Sequence, residues 1–166
     1  MAHNLIYRQA GPADAESLKE LAAITWSQFE NTIGADSWTF LSNALDKVNY
    51  STLIDTSYGA ICEDGDRVVG MAFLVPQGNP TDIFPADWCY VRMVTVDTGY
   101  NGKGIGRGLM SQCIEHARSQ HEKIMGLHTS EFMNAARHIY ESMGFYVVRE
   151  LEPRFSKKYW LYRLDL

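Results

Sequence analysis

The chain has 166 residues, 46% of them hydrophobic and 12% aromatic, and its 20 acidic side chains outnumber 15 basic ones for a formal net charge of -5. That length fits one domain and buries about two thirds of its unfolded surface, so no disulfide or metal staple is needed, and the aromatic share excludes disorder. The acidic balance excludes the broad basic surface of a nucleic-acid binder and opposes an anionic membrane, but leaves a small local anion site open.

Leu5 to Arg8 reads as a short first strand. Gly11-Pro12 stops it and starts a helix, with Asp14 and Glu16 in the first turn, where the helix dipole favours acids, and Leu18, Leu21, Ala22 and Thr25 at helical spacing. Glu30 to Gly34 reads as a loop. A second helix is expected from Asp36 to Val48, with Phe40, Leu41, Ala44, Leu45 and Val48 on one face. Tyr58 to Cys62 and Val68 to Val75 are strands joined by a hairpin at the Asp64-Gly65 step. Prolines at 76, 80 and 85 make Pro76 to Asp87 an irregular loop.

Cys89 to Asp97 is a further strand, followed by a glycine-rich segment and a helix with Leu109, Met110, Cys113, Ile114 and Ala117 on its apolar face. Lys123 to His128 (strand), Asn134 to Met143 (helix), Gly144 to Val148 (strand) and Tyr159 to Leu166 (strand) complete the chain. Hairpins in the middle and alternating strands and helices afterwards predict a mixed α/β sandwich with a twisted sheet. Cys62, Cys89 and Cys113 are scattered and odd in number, which suits a reducing compartment better than a disulfide framework or a zinc site. No stretch approaches the roughly 20 apolar residues of a membrane span, so a cytoplasmic protein with no membrane partner is expected.

Glycines alternate at positions 102, 104, 106 and 108 between an apolar strand and an amphipathic helix, with Lys103 and Arg107 between them. Residues without Cβ let the main chain approach a ligand, and successive N–H groups at a helix start make an anion cradle. The competing reading is a turn with a tight helix-to-sheet contact. Phosphate is the expected anion. A Walker loop fails because Gly104 follows Lys103, and a dinucleotide fingerprint fails because Arg107 or Leu109 falls where its last glycine belongs.

Val94-Thr95-Val96-Asp97 followed by Asn101-Gly102-Lys103-Gly104-Ile105-Gly106-Arg107-Gly108 resembles the acyl-CoA-binding motif of the GNAT superfamily of N-acetyltransferases. Ala136-Arg137-His138-Ile139-Tyr140-Glu141-Ser142-Met143-Gly144-Phe145 is similar to a second segment of that family, and the opening Ile6 to Ala10 with Asp14 resembles its first strand and helix. The resemblance implies a GNAT-like single domain over residues 1–166, a mixed α/β (α+β) fold whose central twisted, mainly antiparallel sheet is flanked by helices. It implies that the backbone of Val94, Thr95 and Val96 pairs with the pantetheine arm of acetyl-CoA. The amides of Asn101, Gly102, Lys103, Gly104, Ile105, Gly106 and Arg107 would hold the pyrophosphate. Tyr140 would protonate the departing thiolate, and an amide near Val94 or Thr95 would face the oxyanion. No metal is implied.

Some positions depart from the family. Asn101 stands where Gln or Arg is usual, and Met133 where Asn is usual; Asn134, one place late, either reaches the pantetheine or caps its helix. Tyr90 occupies the position of a frequent glutamate base, so no base is assigned. Alternation along an extended strand would point Tyr90, Arg92, Val94 and Val96 one way. Arg92 then either binds an acceptor carboxylate or is buried against Glu131 or Glu141, and the second reading is preferred. Tyr90 and Arg92 are the expected substrate-side positions. Trp26, Phe29, Trp38 and Phe40 either line the acceptor pocket or simply pack. His116, His121, His128 and His138 are read as surface or satisfied residues, and the 76–87 loop either covers the acceptor or is ordinary surface.

The expected partners are acetyl-CoA and a primary amine acceptor, a small molecule rather than nucleic acid, with a homodimer left open. The expected reaction is direct attack in a ternary complex. A non-catalytic acyl-CoA-binding module is the alternative.

Overall fold

Seven strands form one sheet in the order β1-β2-β3-β4-β5-β7-β6 in the computed structural model, which describes residues 2–166. The strands are β1 (Leu5–Gln9), β2 (Tyr58–Asp64), β3 (Arg67–Val75), β4 (Cys89–Val96), β5 (Ile124–Ser130), β6 (Tyr146–Arg154) and β7 (Lys157–Asp165). The helices are α1 (Ala15–Trp26), α2 (Glu30–Ile33), α3 (Ala35–Asp46), α4 (Tyr50–Thr56), α5 (Ile105–Ser119) and α6 (Asn134–Ser142). All neighbouring strands are antiparallel except β4 and β5. This is the mixed α/β architecture the sequence predicts.

Period-two alternation divides the interior between the two faces of the sheet. Ala60, Cys62, Ala72 and Leu74 point to one face, where α5 buries Ile105, Leu109, Met110, Cys113, Ile114 and Ala117 against them. Ile61, Met71 and Phe73 point to the other, under Leu18, Leu21 and Ala22 of α1 and Tyr50 and Leu53 of α4. Each of these larger side chains contributes about 1.5–3 kcal/mol by leaving water. A third cluster gathers Phe84, Trp88, Tyr90, Leu151, Tyr159 and Leu161 at the β5–β7 end.

Several elements differ from expectation. Glu30–Ile33 is a short helix instead of a loop. Tyr50–Thr56 is a helix with no apolar period long enough to reveal it, although Asn49 caps it by accepting from the Thr52 amide at 3.0 Å. The apolar face read into α3 is not core: that helix has no buried residue, and Phe40 is 69% exposed. The β6–β7 hairpin runs longer than its apolar residues suggest, since β6 is the sheet edge and is exposed except at Leu151.

Two irregularities in β4 position the site. It pairs with β5 only through Cys89↔Met125 and Tyr90↔Gly126, and beyond that point the strands part. Opposite β3 the register moves from Phe73↔Arg92 to Met71↔Thr95, so Met93 and Val94 together face Ala72. Met93, at the bulge, takes φ 56°, a left-handed conformation uncommon for a residue other than glycine. The bulge breaks the alternation assumed from sequence. Tyr90 and Arg92 face away from α5, whereas Val94 and Val96 pack with the α5-side core.

Candidate functional site

The glycine segment serves two purposes. Gly102 and Gly104 have φ 77° and 78°, with nothing within 4 Å of where a Cβ would stand. They turn the chain and leave it bare to solvent. Gly106 and Gly108 lie inside α5 and permit close packing: a Cβ on Gly106 would sit 3.2 Å from Ile139 of α6, and one on Gly108 would overlap the Tyr7 ring of β1. The tight helix-to-sheet contact, read as a competitor of the cradle, therefore holds for Gly108, and Gly106 makes a helix-to-helix contact instead.

The first intrahelical bond of α5 runs from the Gly108 amide to the Gly104 carbonyl at 3.0 Å. Among the described residues the amides from Gly102 to Arg107 have no acceptor. They are the orphan donors of a helix start, where the dipole also favours negative charge. Lys103 is exposed beside them, Ile105 contributes only its main chain because its side chain is 1% exposed, and the Arg107 guanidinium donates to Ser142 of α6. Asn101 is exposed at the mouth of the loop. These residues fit the pyrophosphate of a nucleotide-bearing thiol.

Among the described residues no strand pairs with the β5-facing edge of β4 beyond Tyr90, which leaves Val94, Thr95 and Val96 without a strand partner on that side. Thr95 is 3% exposed; its hydroxyl donates to the Met93 carbonyl at 3.1 Å and accepts from the Trp26 indole at 3.4 Å. Tyr140 on α6 belongs to the α5-side core and meets Phe145 edge-on at 5.9 Å. Burial, with a smaller contribution from Cys113, raises its pKa above the ordinary phenol value, which keeps it a neutral O–H donor. Asn134 is the exposed first residue of α6, and the cap position falls to Met133, so Asn134 is not the helix cap.

On the face away from α5, rings follow one another around the β4–β5 parting. Trp26 meets Phe29 at 5.6 Å, and Phe29 meets Phe132 at 5.0 Å. Phe132 and Tyr159, then Tyr159 and His128, each lie 6.3 Å apart. Phe84 lies 6.1 Å from His128 and stacks on Tyr90 at 4.3 Å. Phe40 of α3 reaches Phe155, at the tip of the β6–β7 hairpin, at 6.2 Å. Tyr90, 9% exposed, is a wall of this enclosure and brings no carboxylate to it. Glu63 pairs with Arg8 at 3.0 Å, and Glu131 accepts from the Lys158 amide at 3.1 Å.

Arg92 departs from the buried ion-paired reading. It is exposed, and among the described residues no carboxylate pairs with it; Glu141 accepts instead from the Tyr162 hydroxyl at 2.8 Å. Its charge is felt by Tyr50 and by His128. His128 is not the surface or satisfied residue expected: its Nδ1 is buried without a partner. Burial first, then Arg154 and Arg92, hold its pKa down at about 4. Sequence reasoning passed over His128 because its significance depends on β5 pairing with β4 two residues earlier, which no local pattern encodes. Among the described residues, no group of three or more His, Cys, Asp or Glu could hold a metal ion, and no helix is long and apolar enough to cross a membrane.

Similarity to known proteins agrees with this geometry. The chain matches N-acetylaspartate synthetase of Xenopus tropicalis at 34% identity over 79 residues, which is 48% of this chain and 27% of that protein. The chain thus spans about a quarter of the length of that curated relative. PaiA N-acetyltransferase of Thermoplasma acidophilum, solved in complex with coenzyme A, superposes with a TM-score of 0.79 at 14% identity, covering 98% of this chain and 99% of the other. YncA of Salmonella typhimurium, solved with its cofactor acetyl-CoA, superposes with a TM-score of 0.70 at 20% identity over 98% and 94% of the two chains. The model of the Acetyltransferase (GNAT) family matches residues 18–145, and the chain belongs to that family.

Proposed function

We propose that this chain transfers the acetyl group of acetyl-CoA to a primary amine of a small molecule, by direct attack in a ternary complex. The observation that carries the reading is the run of acceptorless amides from Gly102 to Arg107, set beside the uncovered edge of β4. The pyrophosphate takes those amides together with Asn101, and Lys103 adds charge. The pantetheine arm lies along Val94, Thr95 and Val96 as a surrogate strand, with Asn134 at its side.

The amine lone pair attacks the thioester carbon, and the developing oxyanion is met by a β4 amide near Val94 or Thr95. The C–S bond then breaks, Tyr140 gives its proton to the thiolate, and the surplus proton of the acceptor nitrogen leaves through water and restores the phenol. Burial keeps the phenol protonated at neutral pH, so its O–H is present to hydrogen-bond the sulfur and supply the proton as the C–S bond breaks. The likeness to a protein named N-acetylaspartate synthetase supports an amine acceptor. The buried, unpaired thiols of Cys62, Cys89 and Cys113 suit a reducing cytoplasm.

The absence of a carboxylate at Tyr90 favours one other reading, a non-catalytic acyl-CoA-binding module. An amine panel with acetyl-CoA, following free thiol, separates the two. Turnover that Tyr140→Phe lowers by roughly 100-fold or more, with CoA affinity unchanged, is the expected result for the enzyme. Tight CoA binding with no amine releasing thiol above background would establish the binding module.

A further inference from the structure

We infer that the acceptor is an amine bearing a carboxylate, an amino acid by class, whose carboxylate is held by Arg92 with Lys47 beside it. This deepens the acetyl-transfer reading and rests on it. Arg92 and Lys47 line a cavity of about 400 Å³ between α3, α4 and β4, within the size range of small-ligand sites. Asn49, Thr52 and Leu53 also line it, and no acidic residue does. Two cations border it, and among the described residues neither forms a salt bridge.

Polar groups around Arg92 are left unpartnered in the same way. Tyr50 is 3% exposed, close enough to feel Arg92, and its hydroxyl is buried without a hydrogen bond. His128 lies across the β4–β5 parting on the same side as Arg92. Both follow the last paired positions, Tyr90 and Gly126, by two residues and so share a face of the sheet. The His128 Nδ1 is likewise orphaned, and Arg92 and Arg154 both oppose its protonation. Arg154 itself rests over the Tyr159 ring at 5.8 Å.

Leaving buried polar atoms unpaired costs free energy, and unopposed cations near one another repel. A carboxylate in the cavity supplies the missing counter-charge and pairs with the Arg92 guanidinium fork, whose geometry it matches. The site also explains how a chain of net charge -5 takes an anionic group: the recognition is local, and the acceptor arrives as a zwitterion.

The test pairs each acceptor with a counterpart lacking the acid: L-alanine with ethylamine, and L-aspartate and L-glutamate with their α-amides and side-chain amides. Binding is measured by calorimetry on the CoA-saturated protein, and thiol release with acetyl-CoA is followed in parallel. The carboxylated member should be preferred by roughly 10- to 100-fold, the effect of one hydrogen bond to a charged group. Arg92→Gln should erase that preference with CoA affinity intact, and Arg92→Lys should restore part of it. Equal use of acid-free amines, a preference unchanged in Arg92→Gln, or no binding of any carboxylated amine would overturn the inference and leave acetyl transfer standing wherever thiol is released. Arg92-dependent amino-acid binding without any thiol release would sink acetyl transfer and retain the carboxylate site.

Discussion

Mild acid should weaken this fold before its carboxylates titrate, because His128 resists protonation. Burial, Arg154 and Arg92 hold its folded pKa at about 4 against an ordinary 6.5. The unfolded chain therefore takes up the proton first, so this contribution to stability is complete above about pH 6.5 and is lost progressively as pH falls towards 4. At about 1.4 kcal/mol per pH unit the whole gap is worth about 3 kcal/mol, and about 2 kcal/mol of it is gone by about pH 5. Urea unfolding followed by tryptophan fluorescence at about pH 7 and about pH 5 reads the change directly as a lower midpoint at unchanged slope. His128→Gln should remove most of the loss, whatever His116 adds in the same direction. Arg92→Gln should shrink the loss, since one of the opposing charges is gone. The same decline in wild type and His128→Gln would refute the account, because the acid sensitivity would then arise elsewhere.

Two substitutions separate the roles of the glycines. Gly108→Ala should lower stability by about 1–2 kcal/mol in thermal melts, because crowding against Tyr7 outweighs a helix-propensity gain of about 1 kcal/mol; a stabilised variant would mean that Tyr7 has room to move. Gly104→Val places a β-branched residue at φ 78° in open space. It should cost about 1–2 kcal/mol of backbone strain yet leave the fold intact. Calorimetry should find CoA binding abolished, and unchanged affinity would mean that the phosphates lie elsewhere.

Local signals made most of the fold legible. Apolar, β-prone runs marked β2 and β3 and the Asp64-Gly65 step marked their hairpin, while α5, read as following the glycine run, begins inside it at Ile105. The donor side of the site was legible for the same reason: Asn101 to Arg107 form one continuous segment whose glycines and lysine are read together. The acceptor side was not, because Trp26, Phe29, His128 and Tyr159 come from four separate parts of the chain and meet only around the β4–β5 parting. The facing of Arg92 was misread through a single residue. The Met93 bulge reverses alternation halfway along β4, and nothing in Arg92-Met93-Val94 announces a left-handed residue.

The two paired positions between β4 and β5 also bear on how the protein is held together. Strands β1 to β4 form one half of the sheet and β5, β7 and β6 the other, and Cys89↔Met125 with Tyr90↔Gly126 is the whole of the strand pairing between them. In a continuous sheet such a junction would be as strong as any other; here it is the seam along which the halves are least cross-linked, bridged mainly by side chains of α5 and α6. On the proposed reading, a pantetheine arm lying in the parting adds main-chain bonds where the protein has fewest. Donor occupancy then acts as a clasp, and the acceptor enclosure, whose walls come from both halves, takes its final width only once the donor is in place.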